Sequence, residues 1–265
     1  MARLVWIACL ITVVFAASAV AAKPPSVFIE ELTWTEVRDA LAQGYTTIII
    51  PTGGTEQNGP HMVLGKHNAI VEHAAGKIAG RLGNALVAPV MAYVPEGPVD
   101  PPSGHMLFPG TITLPDDVFM QVVAFAARSF RVHGFRDIVL IGDSGGNLDG
   151  LNRVSRSLSR EWRDTDVRVH FIEEFTRGDE FRRWLRSQGE SERQIGRHAG
   201  IMDTSVAMAV DPGMVRPDKL APSSDFRTTG VLGDPSRATA AYGEKGLAIQ
   251  IEGAVRRIRE LVADR

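Results

Sequence analysis

The sequence predicts an α/β fold with a mostly parallel sheet and helices on both faces, and two observations carry that reading. Short β-branched apolar runs alternate with stretches of helical periodicity along the 265 residues. The two clearest runs, residues 46–50 and 137–142, each end in a Gly-rich loop carrying polar and titratable side chains, as strands of such a sheet do at their carboxyl ends.

Taken in order, residues 46–50 read as a buried strand. Residues 69–82 follow with helical spacing through Ile70, Ala74, Ile78 and Leu82. Residues 85–90 read as the next strand, 95–110 as a long Pro/Gly-rich loop, and 111–114 as a short extended piece. Asp116 or Asp117 is positioned to cap a helix that runs to about His133. Residues 137–142 form the strongest strand signal, 147–162 a helix and 166–172 a further strand. Residues 175–185 are amphipathic, 204–210 carry small apolar residues at helical spacing, and 242–261 close the chain as a helix. The Pro/Gly/Ser-rich stretch 212–235 reads as a surface loop of the same domain, because too little chain follows it to fold alone.

Residues 1–22 have the pattern of an export signal. Arg3 supplies the positive start, residues 4–15 an apolar stretch, and Ala19-Val20-Ala21 a small-residue cleavage motif. The expectation is an exported protein, periplasmic or secreted, whose residues 23–265 make one domain with no membrane span after cleavage. The lone cysteine, Cys9, lies inside that segment, which leaves no disulfide, thiolate metal site or Cys nucleophile in the remainder. With 29 basic against 31 acidic residues and no basic face, nucleic acid is not an expected partner.

Three polar clusters sit at strand or helix ends. Glu56, Asn58, His61 and His67 follow the first strand; Asp143 and Ser144 follow the strand 137–142; His198, Asp203 and Ser205 open a helix. His61 beside Gly59-Pro60 reads as a loop brace, and His105 as a surface residue of the long loop.

The residues around these clusters resemble a known family. Gly54-Thr-Glu-Gln-Asn-Gly-Pro-His61, Phe108-Pro-Gly-Thr-Ile-Thr-Leu114, Gly134-Phe-Arg-Asp-Ile-Val-Leu-Ile-Gly-Asp-Ser-Gly-Gly-Asn147, His198-Ala-Gly-Ile-Met-Asp-Thr-Ser205 and Gly230-Val-Leu-Gly-Asp-Pro235 occur in the order of motifs in the creatininase family of metal-dependent amidohydrolases. The resemblance implies a creatininase-like three- or four-layer sandwich, often a hexamer. It also implies hydrolysis of a non-peptide C–N bond, commonly in a cyclic amide, at one or two divalent ions, usually zinc or manganese. The departures fall on the family's ligands. Asn58 and Ser144 stand where the family has His, His67 where it has a bridging Asp, and Asp203 where it has Glu; Glu56 and His198 are retained.

A carboxylate can bridge two cations, whereas a neutral imidazole offers one lone pair, so His67 argues against a two-ion site. The expectation is one zinc or manganese ion on Glu56, His67 and a third ligand among Asp203, Asp143 and His198, with Asp203 preferred. His198 is then the acid/base, and Asn58 and Ser144 orient water or substrate, a small amide. Two other readings stand beside it: a non-catalytic binding protein on the same scaffold, and a hydrolase with Ser144 as nucleophile, since Gly142-Asp-Ser-Gly-Gly146 resembles a serine-hydrolase turn.

Overall fold

The computed structural model describes residues 23–176 and 178–263; residues 1–22, expected from sequence to be an export signal, lie outside them. The helices are α1 (Trp34–Ala42), α2 (Lys66–Leu82), α3 (Asp116–Val132), α4 (Leu148–Glu161), α5 (Glu173–Thr176), α6 (Asp179–Ser187), α7 (Glu192–Ile195), α8 (Ile201–Val210), α9 (Phe226–Thr229) and α10 (Ala240–Ala263). The strands are β1 (Thr47–Thr52), β2 (Ala85–Val87), β3 (Asp137–Gly142) and β4 (Arg168–Phe171).

The strands pair in the order β2-β1-β3-β4, all parallel. Side chains of successive strand residues point to opposite faces, so both faces of the sheet are apolar and each is covered. Ile49, Val139 and Ile141 pack with α2, α8 and α10; Ile48, Ile50, Ile138 and Leu140 pack with α3 and α4. A smaller cluster of Met62, Ala199, Ala207, Met214, Val215 and Val231 fixes the loops above the sheet's carboxyl edge. Among the described residues no helix is long and apolar enough to cross a membrane.

Three local differences from the sequence expectation matter. Helix α2 begins at Lys66 rather than 69, which places Lys66 and His67 in its first turn. Asp116 and Asp117 lie in the first turn of α3, where carboxylates complement the helix dipole, and Pro115 holds the cap position. The amphipathic stretch 175–185 divides between α5 and α6.

Strand order reverses at β1, because β2 lies on one side of it and β3 on the other. The crevice outside the carboxyl ends of β1 and β3 is therefore where such a sheet leaves room for a ligand. Asn147 closes its floor, donating from Nδ2 to Thr52 Oγ1 at 3.0 Å and to Gly53 O at 2.8 Å.

Candidate functional site

A cavity of about 710 Å³ opens at this crevice. The loop after β1 supplies Glu56, the loop after β2 Glu96 and His105, and the loop after β3 Asp143 and Ser144. The first turn of α2 adds His67, and the segment entering α8 adds His198 and Asp203. Backbones approach closely here: a Cβ on Gly146 would run into the Pro95 carbonyl oxygen, so only glycine lets the loops after β2 and β3 meet.

Glu56 is the centre, with 3% of its surface exposed. Oε1 lies 2.8 Å from His67 Nε2, and Oε2 lies 3.1 Å from His105 Nδ1. The other ring nitrogen of His67 lies 2.6 Å from Asp143 Oδ2. Both nitrogens of His67 thus face carboxylate oxygens, an arrangement that needs a proton on each. Burial and the neighbouring Lys66 charge oppose that state, but hydrogen bonds to Asp143 and Glu56 outweigh them and raise the imidazole to about 9. Burial pushes Glu56 upward too, yet the hydrogen bond and charge of His67 win, and its carboxyl lies well below the usual range.

Glu96 shows the opposite outcome. Burial, then a hydrogen bond and charge repulsion from Glu56, push it up to about 9, so it holds a proton at neutral pH. Ser144 Oγ donates to its Oε2 at 3.4 Å.

Lys66 is 1% exposed and its Nζ lies 2.8 Å from Asp203 Oδ1. The second Asp203 oxygen accepts the Ala199 N–H at 2.7 Å, and Ala199 has φ of 52°. A non-glycine residue in the left-handed region is held there by its surroundings, and the Asp203 bond is one such restraint beside His198. Burial opposes ionisation of Asp203, but Lys66 and His198 outweigh it and lower its pKa to about 2.

On the remaining side of Glu56 stand two imidazoles. The rings of His105 and His198 are edge to face, centroids 4.7 Å apart, and Phe226 packs its ring against both. Burial lowers the pKa of each, His198 to about 4, so both are neutral at pH 7. His198 Nε2 lies 3.0 Å from Gln57 O, an acceptor, and 3.1 Å from Gln57 Nε2, a donor, so either neutral tautomer finds a partner there. One ligand atom each from Glu56, His105 and His198 lies within 4.8 Å of the others. Two neutral imidazoles and a carboxylate at this separation fit a divalent ion with an open position for water.

The structure redistributes the roles expected from sequence. Glu56, His67, Asp143, Ser144, His198 and Asp203 line one cavity, but the converging set shares with the expected ligands only Glu56 and His198, the latter an alternative to the preferred Asp203. Both His67 nitrogens are taken by carboxylates, and Asp143 is one of those partners. Asp203 is engaged by Lys66 and the Ala199 amide. Asn58, expected to orient water or substrate, is fully buried and does not line the cavity; its Nδ2 donates to Glu56 O at 2.9 Å and so braces the loop. Ser144 faces Glu96 rather than an imidazole, which leaves a serine nucleophile without its base. His61 is a buried brace against Thr204 Oγ1 at 3.0 Å.

Lys66, Glu96 and His105 escaped the sequence reading. His105, read as a surface residue, is the third member of the converging set. The one available signal was a glutamate and a histidine framing a Pro/Gly-rich loop directly after a strand.

A family model described as creatininase, creatinine amidohydrolase, matches residues 30–258. A mycofactocin precursor peptide peptidase of Mycolicibacterium smegmatis is 29% identical over 240 residues, covering 82% of this chain and 86% of that protein. A creatinine amidohydrolase of Pseudomonas putida is 28% identical over 255 residues, covering 89% and 97%. A solved manganese form of creatininase superposes with a TM-score of 0.70 at 28% identity, covering 89% of this chain and 98% of its own. A variant creatininase described as the Zn-Zn type gives 0.69 at 28% identity with the same coverage. The chain belongs to the creatininase family of amidohydrolases.

Proposed function

We propose that this protein hydrolyses a C–N bond of a small amide, with one divalent ion, zinc or manganese, held by Glu56, His105 and His198. The convergence of those three ligand atoms carries the reading. Bound there, the ion would supply Lewis acidity and lower the pKa of a bound water to about 7. The chain's own contribution is orientation. Gln57 holds the His198 ring through Nε2, by its backbone oxygen and its side-chain amide, and the Phe226 ring seats both imidazoles. Glu96 holds a proton beside Ser144 at the cavity wall.

The relatives by name act on creatinine and on a precursor peptide, so both a cyclic amide and a peptide C–N bond belong in the test. Protein stripped with chelator, then reloaded with zinc or manganese, would be assayed against small cyclic amides and short peptides. Loss of hydrolysis on stripping and its return on reloading are expected. Full activity in the stripped protein would sink the reading.

Action after export, in the periplasm or outside the cell, and assembly as a homo-oligomer belong to the same proposal. Val118, Val122, Phe125 and Val132 leave an apolar stripe exposed along α3, which supports self-association. Light scattering showing a monomer at micromolar concentration would remove that part.

A further inference from the structure

We infer that Lys66 and His67, the paired cations in the first turn of α2, take the place of a divalent cation, so that the cavity accommodates one ion rather than two. The single-ion position rests on the proposal above; the displacement by side chains does not.

A helix N-terminus carries partial positive charge, and cations in its first turn are disfavoured. Lys66 and His67 both sit there, both are buried, and no acidic residue of α2's own first turn offsets them. Their compensation comes from three carboxylates on three separate segments. Lys66 Nζ meets Asp203 at 2.8 Å, His67 Nε2 meets Glu56 at 2.8 Å, and His67 Nδ1 meets Asp143 at 2.6 Å.

In a hard-cation site carboxylates from separate loops face a bound cation. Here the Lys66 ammonium and the two His67 N–H groups occupy three such carboxylates instead, with Glu56 and Asp143 on opposite sides of one imidazole ring. Glu56 alone belongs to both groups, through Oε1 to His67 and Oε2 to His105. What is left uncommitted on the His105 side is ligand capacity for one ion.

The experiment is metal stoichiometry, read by elemental analysis and zinc titration calorimetry on the stripped full chain, with no assay of activity. Wild type is expected to take up one equivalent of zinc, and Lys66→Met/His67→Asp two, because a bridging carboxylate replaces a cation. Lys66→Met alone keeps the His67 bonds and gives a milder test: a second, weaker zinc equivalent is expected, with affinity at least tenfold above any second binding in wild type. Two equivalents in wild type would overturn the inference. So would a single equivalent in both variants while their far-UV circular dichroism stays native. Zero equivalents in wild type would defeat the metal-hydrolase proposal instead. In that case a gain of zinc by the variants still upholds displacement, and no gain defeats it as well.

Discussion

The two sides of Glu56 differ in kind. Toward α2 its carboxylate joins an ion-paired network of Lys66, His67, Asp143 and Asp203 at the cavity wall, in which each charge has a partner of opposite sign. Toward Phe226 it meets two neutral imidazoles that open to the cavity. Buried ion pairs of the first kind are costly to break and add little net stability over an apolar packing, whereas neutral nitrogen ligands keep lone pairs for a ligand. The difference suits the ion-paired side to holding the architecture and leaves the open, imidazole side with capacity for a ligand.

Mutation separates the two. Glu56→Gln acts on both sides at once and should have the largest effect, lowering amide hydrolysis at least about 10³-fold and abolishing zinc uptake; steady-state kinetics and elemental analysis would show it. His105→Ala and His198→Ala should each cost roughly 10–100-fold in metal affinity, while the melting temperature of the metal-free protein stays within a few degrees. A large fall in that melting temperature would show that the open side is structural after all.

Lys66→Met should leave Asp203 without its cation and destabilise by less than the roughly 3–5 kcal/mol of a fully buried pair, since Asp203 is 31% exposed; the readout is a lower melting temperature. An unchanged melting temperature would remove the structural role of this pair. A pH series sharpens it further. The folded pKa of His67, about 9, lies above the ordinary imidazole value of 6.5. Its contribution is therefore complete below about pH 6.5 and lost as pH rises through 9. Glu96, raised to about 9, acts in the same direction because the folded state again binds the extra proton. Stability of the metal-free protein should fall from pH 6.5 to 9, and His67→Gln should flatten that decline. The smallest effect is expected for Ser144→Ala, under about tenfold on hydrolysis, since its hydroxyl makes one long bond to Glu96.

Legibility in the sequence followed the range of the interactions. Strands β1 and β3 were readable because buried parallel strands are continuous β-branched runs, a local property. The start of α2 was missed because Lys66 and His67 look like loop residues. Their burial depends on Asp203 and Asp143, 137 and 76 positions away in the chain. Asn58 illustrates the converse: it stands among chemical residues in sequence, yet its amide turns into the loop it braces.

By itself the sequence determined the α/β alternation, the parallel sheet and the family, since apolar periodicity and ordered motifs are written along the chain. Which oxygens of Glu56 meet which imidazoles, that Lys66 is a buried cation, and that His105 stands with Glu56 and His198 were decided only by tertiary structure. The physical reason is that charge, burial and ligand geometry are properties of the space between segments, and that space exists only after β1, β3 and the loop before α8 have been brought together.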